Sequence, residues 1–148
     1  MPSTPETYRF AAREHLERAY RMHKLEDYFM AHLLAGLAVE CHLRAQLLLV
    51  SRKFESRHDL QDLAKEAKFF DDIPVELHKE LSQALTDINL RWRSNHRYCS
   101  ERQLLDYMNL LRVEYNSSGS RWKNLSRTLL NLSTKIIKQG EAKWNLRS

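Results

Sequence analysis

A chain of 148 residues is one domain by length, and it is long enough to bury a core without disulfide or metal staples. Gly and Pro number three each and apolar residues recur at helical spacing, which argues against a strand-rich fold and predicts an all-α one. The net charge of +5 is uneven: residues 115–148 hold seven basic side chains against Glu141 alone, while the rest hold 17 basic and 18 acidic ones.

Thr4-Pro5-Glu6 is a helix opening, with an N-cap hydroxyl, Pro in the first turn and an acid at the positive dipole end. The spacing predicts a helix to about Arg21 or Met22, with Tyr8, Ala11, Ala12, Leu16 and Tyr20 inward. A second helix, about Leu25 to Val50, is the most apolar element. Between Asp27 and Arg52 its only formal charges are Glu40 and Arg44, spaced to pair on one face. Such a helix must be surrounded by others, and Gly36 with the neighbouring alanines allows a close approach. Glu40 either pairs with Arg44 or orients a basic site residue such as Arg91.

A short third helix starts between Ser56 and Asp59 and runs to about Phe70, broken by Asp71-Asp72. Pro74 begins the fourth, Val75 to about Ser94, with Leu77, Leu81, Leu85, Ile88 and Trp92 as its stripe. Arg91 follows Asp87 by four residues, which suits an intrahelical ion pair. Ser100-Glu-Arg-Gln103 reads as a capping box for a fifth helix to about Tyr115, with Leu104, Leu105, Met108 and Leu111 inside. Asn116–Ser120 is a loop, and a sixth helix follows to about Gln139. Gly140 is its expected stop, leaving a basic tail over 140–148 that contains Trp144. The expectation is one domain over 1–148, an antiparallel bundle of five to six helices with its core over about 5–139.

Cys41 and Cys99 lie far apart with no CxxC pair, which predicts reduced thiols. The N-terminus has no secretory pattern. The longest charge-free run, Tyr28 to Val39, is too short to cross a bilayer, so the expected location is cytoplasmic with no membrane partner. There is no GxGxxG, P-loop, HExxH or paired Cys/His set, so no cofactor and no metal is expected.

The functional candidate is the octet Arg91-Trp-Arg-Ser-Asn-His-Arg-Tyr98, which gathers three cations, an imidazole and a phenol where the fourth helix runs out. Such a cluster suits gripping a phosphodiester and moving a proton beside it. At about 100° per residue, Arg91 and His96 would lie roughly 140° apart on one continuous helix. A stop at Ser94-Asn95 would swing His96 back towards Arg91. The other histidines are scattered and read as surface or core-edge residues.

The run Ala35-Gly-Leu-Ala-Val-Glu40-Cys-His-Leu-Arg44-Ala, then His58-Asp59-Leu60, then Arg91-x4-His96-x-Tyr98, resembles the HEPN domain over about residues 10–137. The resemblance implies a small helical bundle, usually homodimeric, and in many members a metal-independent ribonuclease of bacterial toxin–antitoxin or phage-defence systems. It carries Arg91, His96 and Tyr98 over as catalytic residues, with Glu40, Asn95 and Arg97 in support. Arg93, Arg121, Lys123 and Arg127 are the expected substrate-binding cations. In that reading the ribose 2′-hydroxyl attacks phosphorus, His96 carries a proton and Arg91 holds the non-bridging oxygens. One His per chain then asks for a two-fold composite site, and the partners are RNA, a second copy and an antitoxin of the small nucleotidyltransferase kind. Catalytic members often carry Asn after the Arg; here Trp-Arg-Ser-Asn intervenes. Another branch keeps a Trp and a later Arg-Tyr, as Trp92 and Arg97-Tyr98 do. That branch implies the alternative, a non-catalytic module binding nucleotide, RNA or a protein partner; a third reading is a structural dimerisation domain in which Arg91 merely pairs with Asp87 or Glu40.

Overall fold

The computed structural model describes residues 4–51, 59–110 and 121–147, the last without its side chain. Thr4 caps α1 (Pro5–Lys24), its hydroxyl accepting the Thr7 N–H at 3.1 Å. The helix ends just past the expected residue, on Glu26 in the left-handed conformation (φ 64°), where the Asp27 N–H reaches back to the Met22 carbonyl. Its buried residues are Ala12 and Ala19, small enough to bring the helix close to its neighbours. Tyr20, expected inward, sits at the rim with its hydroxyl 2.5 Å from that of Thr134.

Asp27 caps α2 (Tyr28–Val50), the axis of the bundle. With no polar face of its own it is packed by α1, by α3 (Leu60–Glu66) and by α6 (Arg121–Arg147), and it is almost continuously buried from Ala31 to Leu47. Among the described residues it is the one helix long and apolar enough to cross a membrane, and two thirds of its most apolar window is buried inside the bundle. Glu40 and Arg44 are both buried and pair at 3.5 Å, the partnership their spacing predicts.

Asp59 starts α3 by accepting the N–H groups of Gln61 and Asp62. The helix stops before the expected Phe70, because Lys68 turns left-handed (φ 53°) and buried Phe69 sends its N–H back to Ala64. The ammonium of buried Lys143 on α6 seals this turn, donating to the carbonyls of Lys68 and Phe69. A single 3-10 turn, Val75–Leu77, leads into α4 (His78–Arg91). The predicted capping box opens α5 (Glu101–Leu110): Ser100 N–H donates to Gln103 Oε1 at 2.8 Å and Gln103 N–H to Ser100 Oγ at 3.1 Å. Leu111, the expected end at Tyr115, the loop after it and His58 lie outside the described residues.

Gly140 does not end α6; the helix continues to Arg147 and the expected tail is its last two turns. Glycine is needed there for a different reason. A Cβ at 140 would overlap the His42 imidazole on α2, so the missing side chain makes room for that ring between the two helices. Beyond it, Glu141 takes Arg9 (2.6 Å) and Arg13 (3.2 Å) from α1, and the Arg9 guanidinium lies over buried Trp144.

Candidate functional site

The helix carrying Arg91 ends three residues before the sequence predicts, and Trp92 is the cause. Its indole lies on Gly36, where a Cβ would overlap the ring, and its Nε1–H donates to the Leu33 carbonyl at 3.1 Å. The approach allowed by Gly36 is therefore used by a side chain. Only 2 % exposed, Trp92 is held with an extended backbone (φ −135°, ψ 133°). Arg93 is extended as well, and Ser94–Tyr98 then forms a 3-10 turn against α2. Beneath the junction, buried His32 donates from Nε2 to the Arg91 carbonyl at 3.1 Å. Burial pushes its pKa down to about 4, and the charges of His96 and Arg91 push the same way.

His96 closes the turn on itself. Its backbone N–H donates to the Arg93 carbonyl at 2.9 Å, while the Arg93 N–H donates to His96 Nδ1 at 3.0 Å. With Nδ1 accepting, the neutral ring carries its proton on Nε2. The side chain is 5 % exposed and meets the Tyr107 ring edge-to-face at 4.9 Å. Burial, reinforced by the Arg93 charge, pushes its pKa down to about 4. No hydrogen bond among the described residues reaches Nε2, and His96 is one of the residues that line a cleft beside the turn.

Two shallow clefts flank the turn and share Arg93 and Asn95. One, of about 420 Å³, is lined by Asp59, Arg93, Ser94, Asn95, Arg97 and Tyr98. The other, of about 380 Å³, adds His96, Cys99, Leu104 and Tyr107 to the shared pair. Tyr98 is 78 % exposed, with the Arg97 guanidinium 5.2 Å from its ring centre. Arg93 lies 3.7 Å from Asp59, whose carboxylate also accepts the Asn89 amide at 3.4 Å. Asp59 thus ties the start of α3 to α4 and to the turn.

The predicted residues therefore divide. His96, Asn95, Arg93, Arg97 and Tyr98 gather on the turn, but His96 and Tyr98 open into different clefts. Arg91 lines neither; its Nη1 donates to the Asp87 carbonyl at 2.9 Å, in place of the expected ion pair with the carboxylate. Its Nε is buried without a partner among the described residues. Glu40 lies in the core with Arg44, and burial helped by its charge lifts the neighbouring Cys41 thiol to about 12, against the pull of Arg44 and Arg97. Arg121 donates to Asn109 Oδ1 at 2.6 Å; Lys123 and Arg127 are exposed and line neither cleft. Tyr107 and Leu104 were not singled out for the site. The capping box gave the signal, since it fixes the phase of α5 and puts both residues on the face that meets the turn.

A helical bundle displaying a basic, aromatic turn at the end of α4 is the class these features define. The chain belongs to the HEPN domain family, whose model matches residues 6–118. No curated protein and no solved structure matches it. Membership points to a nuclease or otherwise RNA-related function in general terms.

Proposed function

We propose that this chain is a non-catalytic HEPN module that binds single-stranded RNA through the turn 93–98. Arg93 and Arg97 would neutralise phosphate, and Tyr98 would offer a ring for a base to stack on. The observation that carries the reading is the state of His96. Its Nδ1 is held by the Arg93 N–H, so taking up a proton breaks the bond that closes the turn. With a pKa near 4, roughly one ring in a thousand is protonated at pH 7. A neutral ring holding its proton on Nε2 is a donor and not a base.

The second reading, a metal-independent endoribonuclease of toxin–antitoxin or phage-defence type, is favoured by one feature: His96 lines a cleft and no hydrogen bond among the described residues reaches its Nε2. A two-fold homodimer setting two such turns across one groove would supply the second proton carrier. Exposed Tyr98 would then be the residue reached by a nucleotidyltransferase antitoxin. Incubating wild-type protein and His96→Ala with mixed RNA, with and without EDTA, separates the two. The binding reading expects intact RNA from both proteins. New 2′,3′-cyclic phosphate and 5′-hydroxyl ends, insensitive to EDTA and lost in His96→Ala, would establish the nuclease instead.

A further inference from the structure

The two arginines that line the Arg97–Tyr98 cleft are held differently. The Arg97 guanidinium lies over the Tyr98 ring and has no ion pair among the described residues. Arg93 faces a carboxylate: its Nη1 stands 3.7 Å from Asp59 Oδ2, with the two side chains 46 % and 36 % exposed. Asp59 is the one carboxylate among the residues lining this cleft. A phosphate approaching Arg93 therefore meets a place where a negative charge already stands.

The carboxylate is anchored from two helices. Its Oδ1 accepts the N–H groups of Gln61 and Asp62 at 2.9 and 3.1 Å, and its Oδ2 accepts the Asn89 amide at 3.4 Å. Asn89 is itself held, its amide oxygen accepting the Leu60 N–H at 3.4 Å. Arg93 is the freer partner, a long exposed side chain tied to Asp59 at more than hydrogen-bond distance. An exposed pair of this kind is weak and yields to a better ligand. When it yields, the carboxylate stays behind. Two like charges that close at a protein surface repel enough to weaken binding by about threefold to tenfold.

We infer that Asp59 is a built-in competitor for the RNA phosphate: it pairs with Arg93 in the free protein, gives it up when the strand binds, and holds the affinity of the cleft below what its two arginines alone would reach. The inference rests on the RNA-binding reading above and adds what restrains that site.

The test is fluorescence anisotropy with a labelled single-stranded U oligomer over a range of salt. Asp59→Asn removes the charge but keeps a side chain that caps a helix as well as Asp does; a melting curve checks the fold. At low salt it should bind about threefold to tenfold tighter than wild type, with log affinity falling more steeply against log salt. Glu66→Gln removes an equal charge from an exposed position of α3 outside the cleft, and should change affinity by less than about twofold. Arg93→Gln should weaken binding less than Arg97→Gln does in wild type, and as much in the Asp59→Asn background. Unchanged or lower affinity in folded Asp59→Asn, an equal gain in Glu66→Gln, or a gain that persists in full when Arg93 is Gln would overturn the competitor and leave RNA binding standing. If Asp59→Asn does not fold, wild type decides by carbon-13 NMR. The Asp59 carboxyl signal should move as the oligomer is added, and a signal that stays still at saturation would overturn the inference. No binding of the oligomer by wild-type protein would remove the RNA-binding reading and the competitor together.

Discussion

Two histidines in this bundle share a depth and a charge state but not a surrounding. His42, on the α2–α6 seam, and His96, on the turn after α4, are both buried and both held near pKa 4 chiefly by burial. In the seam, Gln46 donates to His42 Nε2 at 2.9 Å and to the Gly140 carbonyl at 3.3 Å, and Nδ1 is buried without a partner among the described residues. In the turn, the backbone N–H of Arg93 takes Nδ1, and His96 helps line a cleft. Neither burial nor an unpartnered nitrogen marks a functional histidine; His96 differs in lining a cleft.

The largest effect should come from breaking what presents the turn. Trp92→Ala removes the indole that covers Gly36 and bonds Leu33, and should cost about 3–5 kcal/mol in urea or thermal unfolding, with RNA binding lost as the turn loosens. Gly140→Ala attacks the seam instead. The new methyl overlaps His42, so a net loss of about 1–3 kcal/mol is expected although alanine favours the helix, and RNA affinity at a temperature well below melting should hold.

Acid should act on both regions together. His32, His42 and His96 have folded pKa values near 4, below the unfolded value of about 6.5. Between those pH values the unfolded chain binds more protons, so stability is full above about pH 6.5 and falls towards pH 4, by at most about 1.4 kcal/mol per pH unit for each ring. Melting temperatures recorded from pH 7.5 to 4 would test this; a flat profile through pH 5 would contradict the buried, neutral assignment. The smallest effect on the fold should be that of Arg97→Ala. The melting temperature should barely move, while the slope of log affinity against log salt for RNA should fall by about one phosphate contact.

Much of the bundle was legible in the sequence because each signal was local. Thr4-Pro5 and Ser100–Gln103 act within one turn, and helices start at both. The apolar run of α2 predicts its central place. The misjudged positions depend on distant partners. Gly140 resembles a helix stop until His42 is seen against it, and α4 seemed to reach Ser94 until Trp92 was found lodged on Gly36. The site was half legible for the same reason. Its residues cluster in sequence between positions 91 and 98, but their division into two clefts follows from the break at Trp92 and from Asp59 and Tyr107, which come from other helices.

The most direct test follows the two imidazoles by nitrogen-detected NMR while RNA is added at pH 7. His96 should report a neutral ring protonated on Nε2, with that nitrogen shifting as RNA binds and His42 unmoved. A His96 that titrates near 6.5, or that stays as silent as His42 when RNA saturates the protein, would contradict the account.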